Sequence, residues 1–179
     1  EGSWLGTMEA LAKDGQLFTV QMASNLVVGS NERPLFMVAS FIDISERVMV
    51  EKALKESEER FRIMFESAQI AIFIKDTAMK YRLVNPATEH LFEASSKEFV
   101  GKDATEFFSG EYGLPIDAID RKVLAGEIFK GEEVIRTRSG KRFIEVVKTP
   151  MRNYNGEIIG LCGVARDITE IRTLRDQLH

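Results

Sequence analysis

Few residues of this chain have the chemistry that catalysis or metal binding requires. The histidines are His90 and His179 and the single cysteine is Cys162, so the chain offers no Ser/His/Asp or Cys/His arrangement for nucleophilic catalysis. The sequence also lacks metal-ligand spacings, a Cys-x-x-Cys-His sequence for covalent haem and a glycine-rich phosphate loop. We therefore expect no enzyme active site and no metal site in this segment.

The two internal candidates each have a functional and a structural interpretation. His90 follows Asn85 by little more than one helical turn, which favours a packing or surface position, with a ligand role as the alternative. Cys162 lies in a strand-like stretch, where alternation places Leu161 and Gly163 on one face and Cys162 on the other. This favours a small buried hydrophobic residue, with a redox role as the alternative.

Composition narrows the class of protein. The chain is 44% hydrophobic and 29% charged, as in ordinary globular proteins, and its net charge of -4 argues against nucleic-acid binding. No apolar run approaches the roughly 20 residues that span a bilayer, and one cysteine fits a reducing compartment. We expect a cytoplasmic segment of a longer protein, whose membrane anchor, if it has one, lies outside these residues.

One stretch of the chain occurs twice. Gly140 follows Gly15 by 125 residues and Asp167 follows Asp43 by 124 residues, so residues 136–170 repeat residues 12–46 with one insertion or deletion. This offset predicts a unit of about 124 residues. The last third of the unit stands at the start of the chain, and a whole unit follows it.

The order of elements predicts an α+β fold. Strands are predicted at 4–13, 17–28, 35–43, 70–74, 81–84, 129–137, 141–151 and 157–167, and helices at 47–64, 87–92, 115–125 and 169–178. Asn85 and Pro86 form a helix start, and Ser95 with Glu98 and Asp103 with Glu106 form capping boxes for two further one-turn helices. Short helices grouped between strands would cover one face of an antiparallel sheet.

The helix over residues 47–64 carries an apolar seam with the spacing of a coiled coil. The seam residues are Val50, Leu54, Ser57, Phe61 and Met64. One interpretation is a parallel dimer that passes signals between domains, and the other is an amphipathic linker that lies on its own domain.

These motifs resemble the PAS domain family, the sensory modules of bacterial and archaeal signalling proteins. The resemblance covers roughly residues 58–178, and it rests on the following segments: 84–87 (VNPA), 99–102 (FVGK), 139–141 (SGK), 155–156 (NG) and 167–170 (DITE). It implies a five-stranded antiparallel sheet with short helices on one face. The segments 13–15 and 43–46 extend it to the end of a preceding PAS domain.

The resemblance also implies a domain organisation. Residues 1–47 would be the three-stranded C-terminal part of a first PAS domain, residues 48–60 a linker helix, residues 61–169 a complete PAS domain and residues 170–179 the start of an outgoing helix. Such chains are commonly sensor histidine kinases of two-component systems, cyclic-dinucleotide enzymes or transcriptional activators. We therefore expect a homodimer formed through the helices and an output domain elsewhere in the full-length chain.

A PAS domain can hold a ligand between its helices and its sheet. The predicted lining is Ile72, Ile74, Phe92, Phe99, Phe108, Val123, Leu124, Phe143, Leu161 and Gly163, and the same residues could simply form the core. Because few of these positions are ionisable, the predicted ligand is small and mostly apolar. Gly163 on the inward face would leave room for it.

The resemblance leaves the cofactor unknown. A flavin photoadduct is disfavoured, because residues 100–105 contain no cysteine and Ala165 replaces the expected glutamine; haem is disfavoured, because residues 115–125 contain no histidine. A non-covalent flavin stays open. The three functions left are a ligand sensor, a ligand-free dimerisation and signal-relay module, and a flavin or haem redox or light sensor.

Asp167, Ile168 and Thr169 stand where the last strand meets the outgoing helix. A carboxylate and a hydroxyl at this point can cap the helix and tie it to the strand. The sequence therefore predicts a signal joint, with a plain helix cap as the alternative.

Overall fold

The computed structural model describes residues 3–177, which fall into two compact units that meet between Phe61 and Arg62. The first unit contains β1 (Ser3–Leu11), β2 (Leu17–Val28) and β3 (Pro34–Asp43), which pair in that order as an antiparallel sheet. Gly15, with φ 85°, makes the turn between β1 and β2. The three predicted strands and the first hairpin are confirmed.

Both faces of this three-stranded sheet expose apolar side chains. Every residue of β3 is exposed, including Phe36, Phe41 and Ile42, whereas Val20 and Ser24 are the buried residues among those described in the three strands. Three strands need an apolar face packed against something to be stable alone. The first unit therefore does not supply its own core.

Helix α1 (Ser45–Ser67) follows β3 directly and contains the whole predicted helix. Its first turn is held by Asp43, whose Oδ1 accepts the Ser45 N–H at 2.9 Å. Of the seam residues, Val50 is 61% exposed, Leu54 58% and Met64 66%. The seam is thus a surface feature of the helix, and whether it pairs two chains stays a prediction.

The second unit has the predicted α+β fold. Its strands are β4 (Ala71–Asp76), β5 (Tyr81–Val84), β6 (Phe129–Thr137), β7 (Gly140–Arg152) and β8 (Ile158–Asp167), and its helices are α2 (Pro86–Phe92), α3 (Ser96–Phe99), α4 (Ala104–Phe108), α5 (Gly110–Leu124) and α6 (Thr169–Gln177). The five strands form one antiparallel sheet in the order β5-β4-β8-β7-β6. The last residues of the predicted outgoing helix, 178 and 179, lie outside the described residues.

The predicted helix starts are confirmed at atomic detail. Asn85 caps α2, and its Oδ1 accepts N–H groups from Thr88 at 3.0 Å and from Ile72 at 2.9 Å, which ties the helix to β4. Both predicted capping boxes are present, at the starts of α3 and α4.

Helix α5 begins five residues earlier than its predicted start at Pro115, which lies inside the helix. The reason is tertiary. A Cβ on Gly113 would come within 2.4 Å of the Ala104 carbonyl oxygen, so the first turns of α5 pack directly against α4. This contact favours helix ahead of a proline that would otherwise mark a first turn.

Candidate functional site

The space between the helices and the sheet of the second unit is filled mostly by aromatic rings. The neighbouring rings of this cluster lie 4.7–6.3 Å apart, many of them edge to face, and belong to Phe73, Tyr81, Phe92, Phe99, Phe107 and Phe108. Such pairs add to the free energy gained by burial. The rings come from β4, β5 and the short helices, so they join the helices to one half of the sheet.

Most of the predicted pocket residues belong to this interior. Phe92, Phe99, Phe108, Val123 and Leu161 are buried in the core, and Leu124 packs against it. Gly163 faces inward as predicted, but the ring of Phe73 lies 2.1 Å from where its Cβ would stand. The room beside Gly163 is therefore occupied by a side chain of the protein itself.

Three predicted pocket residues lie on the other face of the sheet, so the prediction was wrong for them. In β4 the buried residues are Ala71, Phe73 and Lys75, which places Ile72 and Ile74 opposite. In β7 Phe143 is out of phase with the buried row, and its ring faces the cations of Lys141 and Arg172. The apolar character of these residues was real, but the phase of each strand was misassigned.

The interior also holds a buried ionic cluster that the sequence reasoning missed. Asp120 on α5 accepts hydrogen bonds from Lys75 Nζ at 2.6 Å and from Lys148 Nζ at 2.7 Å, and Lys148 Nζ also donates to Glu133 at 2.6 Å. These side chains are 0–5% exposed. None of these ionisable residues was among the predicted pocket residues. Their ion pairs tie α5 to β4 and β7, and β7 to β6.

Burial shifts the pKa of several groups in and around this cluster. Desolvation lowers the pKa of Lys75 against the attraction of Asp120, and desolvation raises the pKa of Glu133 against the attraction of Lys148. Asp117, one turn before Asp120, is buried with its pKa raised by desolvation, and its Oδ1 has no hydrogen-bond partner among the described residues. The cluster is thus close to neutral when Asp117 carries its proton.

The phase of the buried rows could have revealed these residues. Lys75 continues the inward row of Ala71 and Phe73, and Lys148 continues the inward row of Ile144 and Val146. A lysine in phase with buried apolar residues has two interpretations: the buried row ends there, or the lysine is itself a buried charge. Which acid it pairs with depends on tertiary packing, which spacing alone does not give.

The predicted signal joint is a set of short polar contacts at the end of β8. Asp167 Oδ1 accepts the Thr169 N–H at 2.9 Å, and its Oδ2 pairs with Arg142 at 2.7 Å. Thr169 Oγ1 accepts the Phe143 N–H at 3.0 Å, and the Ile168 N–H donates to the Phe143 carbonyl at 2.9 Å. The start of α6 is therefore fixed to both β7 and β8.

Arg142 carries the joint on to the helix layer. Its other terminal nitrogen pairs with Glu93, which ends α2 in a left-handed conformation with φ 53°. Glu93 also accepts the Ser139 N–H at 2.7 Å, and its hydrogen bonds with Ser139 and the nearby Arg142 hold its pKa down at about 2. Glu93 and Arg142 were not predicted, because contacts so distant in sequence leave no local pattern.

The remaining features considered in the sequence are a cysteine, metal-ligand groups and membrane-spanning helices. Cys162 lies on the sheet face opposite the core, and burial raises the pKa of its thiol. No group of three His, Cys, Asp or Glu side chains in residues 3–177 is arranged to hold a metal ion. None of the helices described is both long and apolar enough to cross a membrane.

Comparison with known proteins decides the family. The model of the PAS fold matches residues 65–173, which is more than half of the chain. This chain belongs to the PAS family. The methanogenesis regulatory histidine kinase FilI of Methanothrix harundinacea is 42% identical over 120 residues, which are 66% of this chain and 14% of that protein.

Other PAS proteins agree. A diguanylate cyclase of Vibrio cholerae is 34% identical over 114 residues, covering 62% of this chain and 36% of that protein. The solved domain of a sensory box sensor histidine kinase/response regulator from Geobacter sulfurreducens has a TM-score of 0.52 and 27% identity, and covers 64% of this chain and 96% of that chain. The PAS chain therefore spans about a seventh of the length of the Methanothrix harundinacea kinase and about a third of that of the Vibrio cholerae cyclase. It is a sensory module of signalling proteins.

Proposed function

We propose that this PAS chain receives a stimulus in its second unit and passes it to an output domain of the full-length protein through α6. The supporting observation is the joint formed by Glu93, Arg142, Phe143, Asp167 and Thr169, which connects α2, β7 and β8 to the first residue of α6. A change in the helix layer that moves Glu93 therefore acts on the helix that leaves the domain.

The first unit carries the same joint without its arginine. Asp43 caps Ser45, and Ser45 Oγ accepts the Thr19 N–H at 2.8 Å, as Thr169 does with Phe143. Thr19 and Phe143 are 124 residues apart, the offset of the repeat, whereas the counterpart of Arg142 is Phe18. This likeness supports a chain of two PAS units that both end in the same strand-to-helix joint, of which only the second has the ion-pair arm.

The packed interior favours a relay over a sensor with a large internal ligand. Rings and ion pairs fill the space where the ligand was predicted. We propose that the second unit is not catalytic, that the homodimer formed through α1 is part of the relay, and that a stimulus acts by shifting the packing of α2 or α5. A flavin or haem sensor is the less favoured alternative, since no residue described here argues for either.

The relay is tested by measuring how firmly α6 is attached. In the 179-residue chain, Asp167→Ala should increase hydrogen exchange of the amides in α6, because the helix start loses its cap and its ion pair. Glu170→Ala, one residue into the helix, is the matched control and should leave the exchange close to that of the original chain.

Activity is tested in a chimera. The matched segment of the Methanothrix harundinacea histidine kinase is replaced by this chain, and autophosphorylation is compared for Arg142→Met and for Arg152→Met. Within residues 3–177, the hydrogen bond of Arg152 goes to the Gly156 carbonyl of its own turn. The relay predicts a changed rate for Arg142→Met alone. The relay would be contradicted if Arg142→Met and Arg152→Met gave equal autophosphorylation rates although Asp167→Ala increased hydrogen exchange in α6.

A further inference from the structure

An open groove of about 710 Å³ lies beside the joint, between α2 and the sheet of the second unit. Its floor is formed by small apolar residues: Ala71 pairs directly with Ala165 across β4 and β8, and Ala87 and Leu91 face them from α2. Ala71 and Ala165 are 4% and 1% exposed, so they lie at the bottom of a groove whose volume is in the range of small-molecule sites.

The polar lining of the groove includes two cations. Arg142 and Arg166 line it together with His90, and Asp167 is the carboxylate among the lining residues. Asp167 is already engaged with Arg142 and with the Thr169 N–H. The groove therefore has more positive than negative charge to offer a bound molecule.

The side chain of Arg142 has a buried hydrogen-bond donor without a partner among the described residues. Its two terminal nitrogens bond Asp167 and Glu93, whereas its buried Nε–H has no partner among the described residues. A buried donor without an acceptor is unfavourable. A carboxylate in the groove would meet the guanidinium at its terminal nitrogens, since the Nε–H is buried, and the planar set of N–H donors fits a carboxylate.

We propose that the groove binds a small monocarboxylate with an apolar body, such as an aromatic or branched-chain acid. The body would lie on the alanine floor and the carboxylate would face Arg142 and Arg166. This inference rests on the proposed relay for its signalling role: a ligand carboxylate competes with Asp167 for Arg142, so binding loosens the attachment of α6.

The test is an NMR titration of the 15N-labelled chain with benzoate, phenylacetate, hexanoate and 4-methylpentanoate, each paired with its neutral amide. At least one acid should shift the backbone N–H signals of Ala71, Ala87 and Ala165. The neutral carboxamide of that acid should bind about tenfold more weakly, since one charge-assisted contact is lost.

Variants locate the site without touching the joint. Ala87→Phe should fill the groove and abolish binding, and Arg166→Gln should weaken it about tenfold. The matched controls are Ala78→Phe, in the turn after β4, and Arg152→Gln, which lie outside the groove and should bind as the original chain does.

Three results would overturn the groove as a carboxylate site: no acid shifts the groove signals at millimolar concentration, the amides bind equally well, or Ala87→Phe binds unchanged. Binding in the groove that leaves hydrogen exchange of α6 unaltered would uphold the site and count against the relay. The two proposals therefore fail independently.

Discussion

The least expected residues of this PAS domain are two lysines with no exposure to solvent. Lys75 and Lys148 share Asp120, and Lys148 has Glu133 as a second partner. Ion pairs of this kind contribute little net stability compared with apolar residues of the same size, but they are costly to break by removing one member. We expect them to hold α5 at one position on the sheet.

The difference between removing one member of the ion pair and replacing both can be measured at Lys148. Lys148→Met should destabilise the second unit by about 3–5 kcal/mol, because it leaves Glu133 buried without its cation. The double variant Lys148→Met with Glu133→Leu should recover most of that loss. Urea unfolding followed by circular dichroism measures both changes.

A control stands beside Glu133 in the same strand. Glu132 forms an exposed ion pair with Arg172, so Glu132→Gln should change the free energy of unfolding by less than about 1 kcal/mol. If Lys148→Met costs no more than Glu132→Gln, the buried cluster does not hold α5 in place.

The carboxyl group of Glu93 gives the joint a defined dependence on pH. Its pKa falls from an ordinary value of 4.5 to about 2 in the folded chain, so its contribution to stability is complete above about pH 4.5 and is lost as the pH falls towards 2. A 13C NMR titration should place the midpoint near the lower value. In Ser139→Ala, which removes the largest cause of the shift, the midpoint should rise; an unmoved midpoint would contradict the assignment.

At the scale of elements, caps were predictable and helix length was not. As caps, Asn85, Ser95 and Asp103 bond backbone groups within three residues, so this role could be predicted from local sequence. The further bond of Asn85 to Ile72 could not. The start of α5 depends on Gly113 against Ala104, nine residues away and in another helix. The phase of β4 and β7 was missed for a related reason: in both strands the buried row contains a lysine, and only tertiary packing supplies the acid that allows it to be buried.

Helix α1 carries the element-scale prediction about assembly. Val50→Glu with Leu54→Glu should weaken a dimer, because both side chains are more than half exposed and lie in one coiled-coil seam. Analytical ultracentrifugation measures the mass in solution. Lys55→Glu makes the same change in net charge outside the seam and serves as the control; a mass equal in both variants and the original chain would exclude the seam.

At the scale of the whole molecule, the two units differ in how complete they are. The aromatic cluster and the ionic cluster both come from residues of the second unit, whereas the sheet of the first exposes apolar residues on both faces. The sequence repeat predicted this difference, since it showed one whole unit and one last third. It did not predict the filled interior, which depends on how ring shapes and charges meet across eight elements.

Separate expression of the units tests their independence. A chain that begins at Arg62 should keep a cooperative unfolding transition, because its core is contained within it. Residues 3–61 alone should show no such transition, since three strands without a covered face are marginal. Circular dichroism against temperature compares them, and loss of cooperativity in the longer piece would show that its core needs the first unit.

The sealed position of Lys75 and Lys148 has a consequence for the speed of response. Rearranging their ion pairs requires α5 to separate from the sheet, and openings of this kind take microseconds to seconds. The groove beside Arg142 is open, so a small acid reaches it at the rate of diffusion, without any opening of α5. A stimulus received in the groove would thus take effect quickly. A stimulus that acts on the buried lysines would take effect only after the slow opening of α5, so changes shorter than that opening time would have no effect.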